Sequence, residues 1–486
     1  MNNSNRGQTL DMIEKLQKCV SYGQDLGADF VEARFDDLTL RTLMRSDDIW
    51  KEIQVKSRKG FAISCYVDGV SGFSFTPSSD MTELNSTVER AFRMAKASTK
   101  AAKLKLPFDK RAAVKSNVSD THSVHTHPRD VELSEKIEMV NRAVETAKEH
   151  AKSSRNITGA YGELYGPKIF ANSDGSEIDW DFLVVDLRCR VTAKTDSGDM
   201  VLGSASKGGT HGLEIYKEDE FTPEQLGLDA STRSNEQLNA KPCPAGKFRA
   251  LIEEGLVGVL AHESFGHLSE ADFIVTGGSP LAKKVDERLG TEHATIVDGG
   301  KVDVDKYGGL WLPYDDQGTP TGKTTVLDKG VLKHYLHNRG TAENLGQQTT
   351  GNARAVTFMF PPIPRMTNTY FMPGDLNGEE EALEALDTGI YAIQTYGGQV
   401  EGDGSFLFKA LRGYYVEDGE IKYPIREVSL SGNILVLLGN LLGATRELKL
   451  RSGYFGGCGK GGQYPLPVGM GGPKVVMDGV TFGGQA

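Results

Sequence analysis

The segment Ala261-His262-Glu263-Ser264-Phe265-Gly266-His267 sets two imidazoles and a carboxylate in an otherwise apolar stretch. Burying three polar groups needs a partner that compensates them, and a divalent metal is one. In the H-E-x-x-H arrangement the histidines are four apart, project from one side of a regular helix and bind zinc. Here they are five apart. At about 100° per residue, five steps leave the side chains roughly 140° apart, out of reach of a single ion on an undistorted helix. A π-bulge, with hydrogen bonds spanning five residues, would bring positions i and i+5 back toward one face, and Gly266 makes distortion there cheaper.

A catalytic zinc site typically has three protein ligands and an open position for water. The candidate third ligand is Cys458, within Gly456-Gly457-Cys458-Gly459-Lys460-Gly461-Gly462-Gln463, because a thiolate in a glycine-rich loop reaches a metal without steric obstruction. Glu263, adjacent to a ligand, can take a proton from water and pass it to a leaving amine. Three other readings compete with a zinc hydrolase. The histidines can be buried side chains satisfied by hydrogen bonds, with Cys458 a loop thiol. The same ligands can hold a structural metal in a peptide-binding module without hydrolysis. Two histidines, a cysteine and a methionine such as Met470 also match a blue-copper site.

The elements that must position these groups follow from apolar spacing. Leu10, Ile13, Leu16 and Val20 predict an opening helix; Val88, Phe92 and Ala95 predict a second, and Leu133, Ile137, Val140, Val144 and Ala147 a third. Strand signals lie between and after them: an apolar run over 60–75 broken by Asp68-Gly69, and Val185, Leu187, Cys189 and Val191 alternating with charged residues, which buries Cys189 on a sheet face. Lys241-Pro242-Cys243-Pro244 interrupts regular structure and marks a boundary between an α/β domain, 1–240, and a β-rich domain, 241–486. In the second half, Asp298-Gly299, Asp418-Gly419 and Asp478-Gly479 predict tight hairpins, and Asp328-Lys329-Gly330 a three-residue version joining 324–327 to 331–336. One helix, from Leu251 to Asp272, is apolar nearly all round and is expected to be buried. The last 31 residues hold 11 glycines, which predicts a loop-rich tail able to approach a metal closely.

Composition narrows the function classes. The 486 residues carry a net charge of -11, which argues against unspecific binding to nucleic acid. No apolar run is long enough to span a membrane and the first residues lack a secretory core, so the expected location is the cytoplasm. Five widely spaced cysteines do not read as a disulfide framework.

Several motifs in order extend beyond the histidine pair. His262-Glu263-Ser264-Phe265-Gly266-His267 with Glu270-Ala271-Asp272 resembles the signature of the TldD/PmbA metallopeptidases, also called modulators of DNA gyrase. Tyr314-Asp315-Asp316-Gln317-Gly318-Thr319-Pro320, Pro364-Arg365-Met366-Thr367-Asn368-Thr369-Tyr370, Gly397-Gly398-Gln399-Val400 with Gly413-Tyr414, and the Cys458 motif are similar to its later segments. The resemblance covers nearly the full length. It implies an α+β fold in which the carboxy-terminal domain carries the metal. It also implies His262, His267 and Cys458 as ligands of one Zn2+ per chain, Glu263 as general base, and unfolded or extended peptides as substrates. A homodimer, or a heterodimer with a related metal-free subunit, is implied as well; keeping all four residues makes this chain resemble the active subunit.

Other candidates read as decoys. His122, His125 and His127 lie in a polar stretch without an apolar shell. Gly318-Thr319-Pro320-Thr321-Gly322-Lys323-Thr324 is one residue short of a phosphate loop. His334 and His337, on a predicted strand, are structural or else donors to an oxyanion.

Overall fold

The computed structural model describes residues 3–106, 108, 111–116 and 122–483. Its first half is one antiparallel sheet of six strands in the order β3-β2-β1-β4-β5-β6: β1 Phe30–Ser46, β2 Ile49–Val67, β3 Val70–Thr76, β4 Ser154–Asn172, β5 Glu177–Lys194 and β6 Met200–Gly209. Side chains alternate across a sheet, so each strand serves two cores. Val31, Ala33 and Phe35 of β1 pack with Ile63 of β2 against Leu16 of helix α1 (Asn3–Asp25) and Val88 and Ala91 of α2 (Met81–Ser98). Leu187, Cys189 and Val191 of β5 pack against Val140, Val144 and Ala147 of α3 (Leu133–His150) and Ala230 of α4 (Pro223–Leu238). Leu38, Leu40, Leu164, Phe182 and Val184 instead meet Leu310 and Leu312 of the second half. At about 1.5–3 kcal/mol per fully buried aliphatic side chain, that second core is a substantial bond between the halves.

The three expected helices form, though two of the named apolar positions do not bury. Leu10 is 61% exposed because packing on the sheet begins only at Met12 and Ile13, and Leu133 is the first residue of its helix. Asp80 starts α2 by accepting the amides of Thr82 and Glu83.

In the second half five strands close on themselves. Gly246–Ile252 pairs with Val475–Phe482, which pairs with Val428–Asn433, then Ser405–Glu417, then Gly389–Val400, which returns to Gly246–Ile252. A six-stranded sheet adjoins this barrel, with Ile296–Gly299, Asn368–Phe371 and Gly469–Gly472 at its centre. The result is an α+β chain, and among the described residues no helix is long and apolar enough to cross a membrane.

The turn signals split by burial. Asp68-Gly69 and Asp418-Gly419 adopt positive φ at both residues and close hairpins. Lys329-Gly330 also turns the chain, but as a two-residue loop, since Asp328 pairs directly with Val331, and the following strand ends at Leu332. Asp298-Gly299 is no turn: Asp298 lies in a buried strand, where its carboxylate accepts from the hydroxyls of Thr367 and Thr369 and the amide of Asn352. Asp478-Gly479 is a bulge inside Val475–Phe482, where the pairing register shifts. The glycine-rich tail is largely strand rather than loop, with Cys458–Lys460, Gln463–Leu466, Gly469–Gly472 and Val475–Phe482 in succession; its last three residues lie outside the described residues. The buried helix also starts later than its apolar run, because Leu251 and Ile252 close the barrel strand.

Candidate metal centre

Helix α5, Glu254–Val259, begins at Glu253, whose Oε2 accepts the amides of Gly255 at 3.0 Å and Leu256 at 3.1 Å. It is buried throughout and lies against Gly469–Gly472, where a Cβ on Gly258 would come within 2.3 Å of the Gly471 nitrogen. From Leu260 to Gly266 the chain winds as a π-helix, and the amide of His267 donates to the carbonyl of His262, five residues back. This is the distortion that the histidine spacing demands. It brings the imidazoles together edge to face, with ring centroids 5.3 Å apart at 80°. Gly266 keeps ordinary helical angles and serves packing instead, because a Cβ there would lie 2.1 Å from Met366 Sδ. After one 3-10 turn, His267–Ser269, extended backbone at Glu270 (ψ 120°) ends the helix.

Cys458 arrives on a short hairpin, and its Sγ lies 3.3 Å from His267 Nε2. One ligand atom from each of His262, His267 and Cys458 lies within 4.8 Å of the others. A thiolate and an imidazole bound tetrahedrally to one zinc would be about 3.5 Å apart, so the thiol and His267 already stand at that separation. His262 is fully buried and neither ring nitrogen has a hydrogen-bond partner, which removes the reading of it as a satisfied core histidine. Electrostatics agree. Burial pushes the Cys458 thiol up, but the His262 and His267 imidazoles outweigh it and bring it to about 5. Burial works against a charged His267, yet Glu270 and Cys458 hold it well above the usual histidine range. Cys458 and His267 thus favour their charged forms together, and a soft sulfur with borderline imidazoles suits zinc better than magnesium or calcium.

Behind the cluster stands a residue to which the sequence reading gave no role. Glu270 is fully buried; its Oε2 lies 2.9 Å from His267 Nδ1 and 3.0 Å from Lys460 Nζ. Burial pushes its carboxyl up, but His267 and Lys460 hold it below the usual range. Accepting from Nδ1 leaves Nε2 free to face the cluster. Lys460, two residues beyond Cys458, also bonds Asp272 at 2.7 Å and the Pro364 carbonyl at 3.0 Å, tying the cysteine hairpin to the histidine turn. The signal for Glu270 was a carboxylate three residues after a ligand, where a returning helix end can fold it against the ring. Glu263 is partly exposed on the open side, its Oε2 3.7 Å from His267 Nε2.

The decoys stay apart. His337 is fully buried and held by Thr341 and Gln347, and burial brings it to about 4, so it is structural. His127 contacts Arg129 and Asp181, and among the described residues no metal-ligating group forms around His122, His125 and His127. Met470 lies on strand Gly469–Gly472, packed against the main core.

Two histidines and a cysteine converge within 4.8 Å, with one carboxylate beside them and a second behind, a donor set that could hold a divalent metal. The chain belongs to the PmbA/TldD metallopeptidase family. Residues 245–484 match the PmbA/TldA metallopeptidase C-terminal domain and residues 126–238 the central domain. A metalloprotease of Methanocaldococcus jannaschii is 32% identical over 95% of this chain and 97% of its own length. A zinc metalloprotease TldD homolog of Saccharolobus solfataricus is 27% identical over 96% of this chain and 99% of its own. TldE from Thermococcus kodakarensis shares the fold, with TM-score 0.73 at 17% identity over 97% of this chain and all (100%) of that one.

Proposed function

We propose that the chain is a zinc-dependent peptidase acting on unfolded or extended peptides, with His262, His267 and Cys458 as ligands and Glu263 as general base. The observation that carries this reading is the π-turn that brings the two histidines to Cys458 and leaves His262 without any other partner. The relative named a zinc metalloprotease supports the choice of ion. Zinc held there would lower the pKa of a water and polarise the scissile carbonyl.

The chain's own groups then divide the work. Glu263 Oε2, on the open side of His267, accepts the water proton and delivers it to the leaving amine. Glu270 keeps the His267 tautomer and orientation fixed. Lys460 balances the charge of Glu270 and Asp272, so the ligand shell does not accumulate negative charge. Main-chain pairing of an extended substrate along a strand edge would give broad sequence tolerance. The reading includes two domains divided near Lys241, a cytoplasmic location, and assembly as a homodimer or with a related metal-free subunit.

The experiment is peptide hydrolysis and metal content of wild type and Glu263→Ala side by side. Loss of hydrolysis with zinc retained is expected. Equal hydrolysis by the variant would refute Glu263 as base, and no hydrolysis by zinc-loaded wild type would leave a peptide-binding module.

A further inference from the structure

A cleft of about 880 Å³ opens between β6 and the strand Lys449–Arg451, where the two halves of the chain meet. None of His262, Glu263, His267 or Cys458 lines it. Its inner wall holds polar groups that the fold does not satisfy. His211 is 6% exposed, lines the cleft, and its Nε2 has no hydrogen-bond partner. Gln394 lines it too, with Oε1 unpartnered and φ at 58°, a conformation that costs energy in a residue other than glycine. Its backbone amide is held by Glu253 at 3.3 Å. Groups left buried and unpaired in this way are costly unless a ligand completes them.

Charge tells what the ligand is. Lys207 lies over the Phe221 ring at 4.4 Å and forms no ion pair among the described residues. Arg451, half exposed and already ion-paired with buried Glu253, stands on the same wall with its outer face toward the cleft. These make a floor for an anion with His211. Glu218, Asp219, Glu220, Asp229 and Asp305 line the same cleft, with Glu218 and Glu220 near enough to Lys207 to act on its charge, and together they would repel a bare anion such as phosphate. A molecule carrying both charges satisfies both sets, and the volume is in the range of pockets that hold small organic ligands.

We infer that this cleft binds a short peptide as a zwitterion. Its carboxylate is taken by Lys207, His211 and Arg451, a backbone N–H donates to Gln394 Oε1, and its ammonium is met by the carboxylates that line the cleft. The site is separate from the metal cluster and does not depend on hydrolysis there.

Titration calorimetry of the full chain with trialanine tests it, set beside trialanine amide, inorganic phosphate, and the variants Lys207→Gln and His262→Ala. Trialanine should bind wild type and His262→Ala alike. Amidation or Lys207→Gln should each weaken it about tenfold. The proposal is overturned if wild type gives no binding at about 10 mM trialanine. Equal binding of the amide, unchanged affinity in Lys207→Gln, or phosphate binding as tightly as trialanine would overturn it too. Loss of binding in His262→Ala would move the peptide to the metal cluster and also refute it. Should Lys207→Gln not fold, the amide and His262→Ala comparisons still decide.

Discussion

Glu270→Gln removes one charge and almost no volume from a residue that touches neither water nor substrate. In the native chain Glu270 Oε2 accepts from His267 Nδ1 at 2.9 Å and from Lys460 Nζ at 3.0 Å, and Arg365 Nε is 4.0 Å from Oε1. A glutamine can still accept from Nδ1, but its amide can also donate to it. That alternative puts the proton on Nε2, the nitrogen facing Cys458, and removes it as a ligand. Loss of an outer carboxylate of this kind typically weakens metal binding about 10–100-fold. Stability falls as well, by about 3 kcal/mol at most, since Lys460 keeps Asp272 at 2.7 Å while fully buried Arg365 loses its nearest carboxylate. Competition against a chromophoric chelator measures the affinity, and thermal unfolding of the metal-free protein measures the stability. Zinc affinity within about twofold of wild type in a folded Glu270→Gln would refute the argument that His267 is oriented through Nδ1.

Other consequences can be checked independently. Gly258→Ala should cost about 1–3 kcal/mol in thermal unfolding, because the new methyl meets the Gly471 backbone, which cannot rotate away. In chelator-stripped protein Cys458 should be a thiolate at pH 7. Its folded pKa of about 5 lies below the ordinary 9.0, so its contribution to stability is fully present above pH 9.0 and is lost as pH falls through about 5. Thiolate ultraviolet absorbance that vanishes in Cys458→Ser would show this, whereas Cys19, Cys65, Cys189 and Cys243, pushed up to about 12 by burial, should add nothing. Lys136→Met should cost up to about 3 kcal/mol in denaturant unfolding, because buried Glu163 loses one of its two cations and keeps only Arg41, 3.0 Å away.

What the sequence made legible was chemistry with a fixed register. Histidines five apart cannot converge on a regular helix, and the chain resolves this with the π-turn that the spacing requires. Alternation over Val185–Val191 placed Cys189 inside the sheet, where it is fully buried. Local turn signals were less reliable wherever tertiary partners could claim the aspartate. Asp418 is solvent-facing and turns, while Asp298, with the same glycine after it, is enclosed by four hydrogen-bond donors from Asn352, Thr367 and Thr369 and stays in a strand. Glycines near Cys458 suggested loop, but several are needed for close packing: a Cβ on Gly471 would lie 2.0 Å from the Lys449 carbonyl. Contacts across long separations, such as Lys460 with Glu270, leave no local pattern. The closure of the barrel is likewise a pairing between distant strands, with no signature inside either one.

The central claim is that a five-residue histidine spacing and a cysteine nearly two hundred residues away form one metal site. Zinc content by mass spectrometry, on wild type purified without chelators and on His262→Ala and Cys458→Ser, tests it most directly. The account predicts about one zinc per chain in wild type and its loss from both variants. Full zinc in Cys458→Ser, or a wild-type protein that neither carries nor takes up zinc, would contradict it.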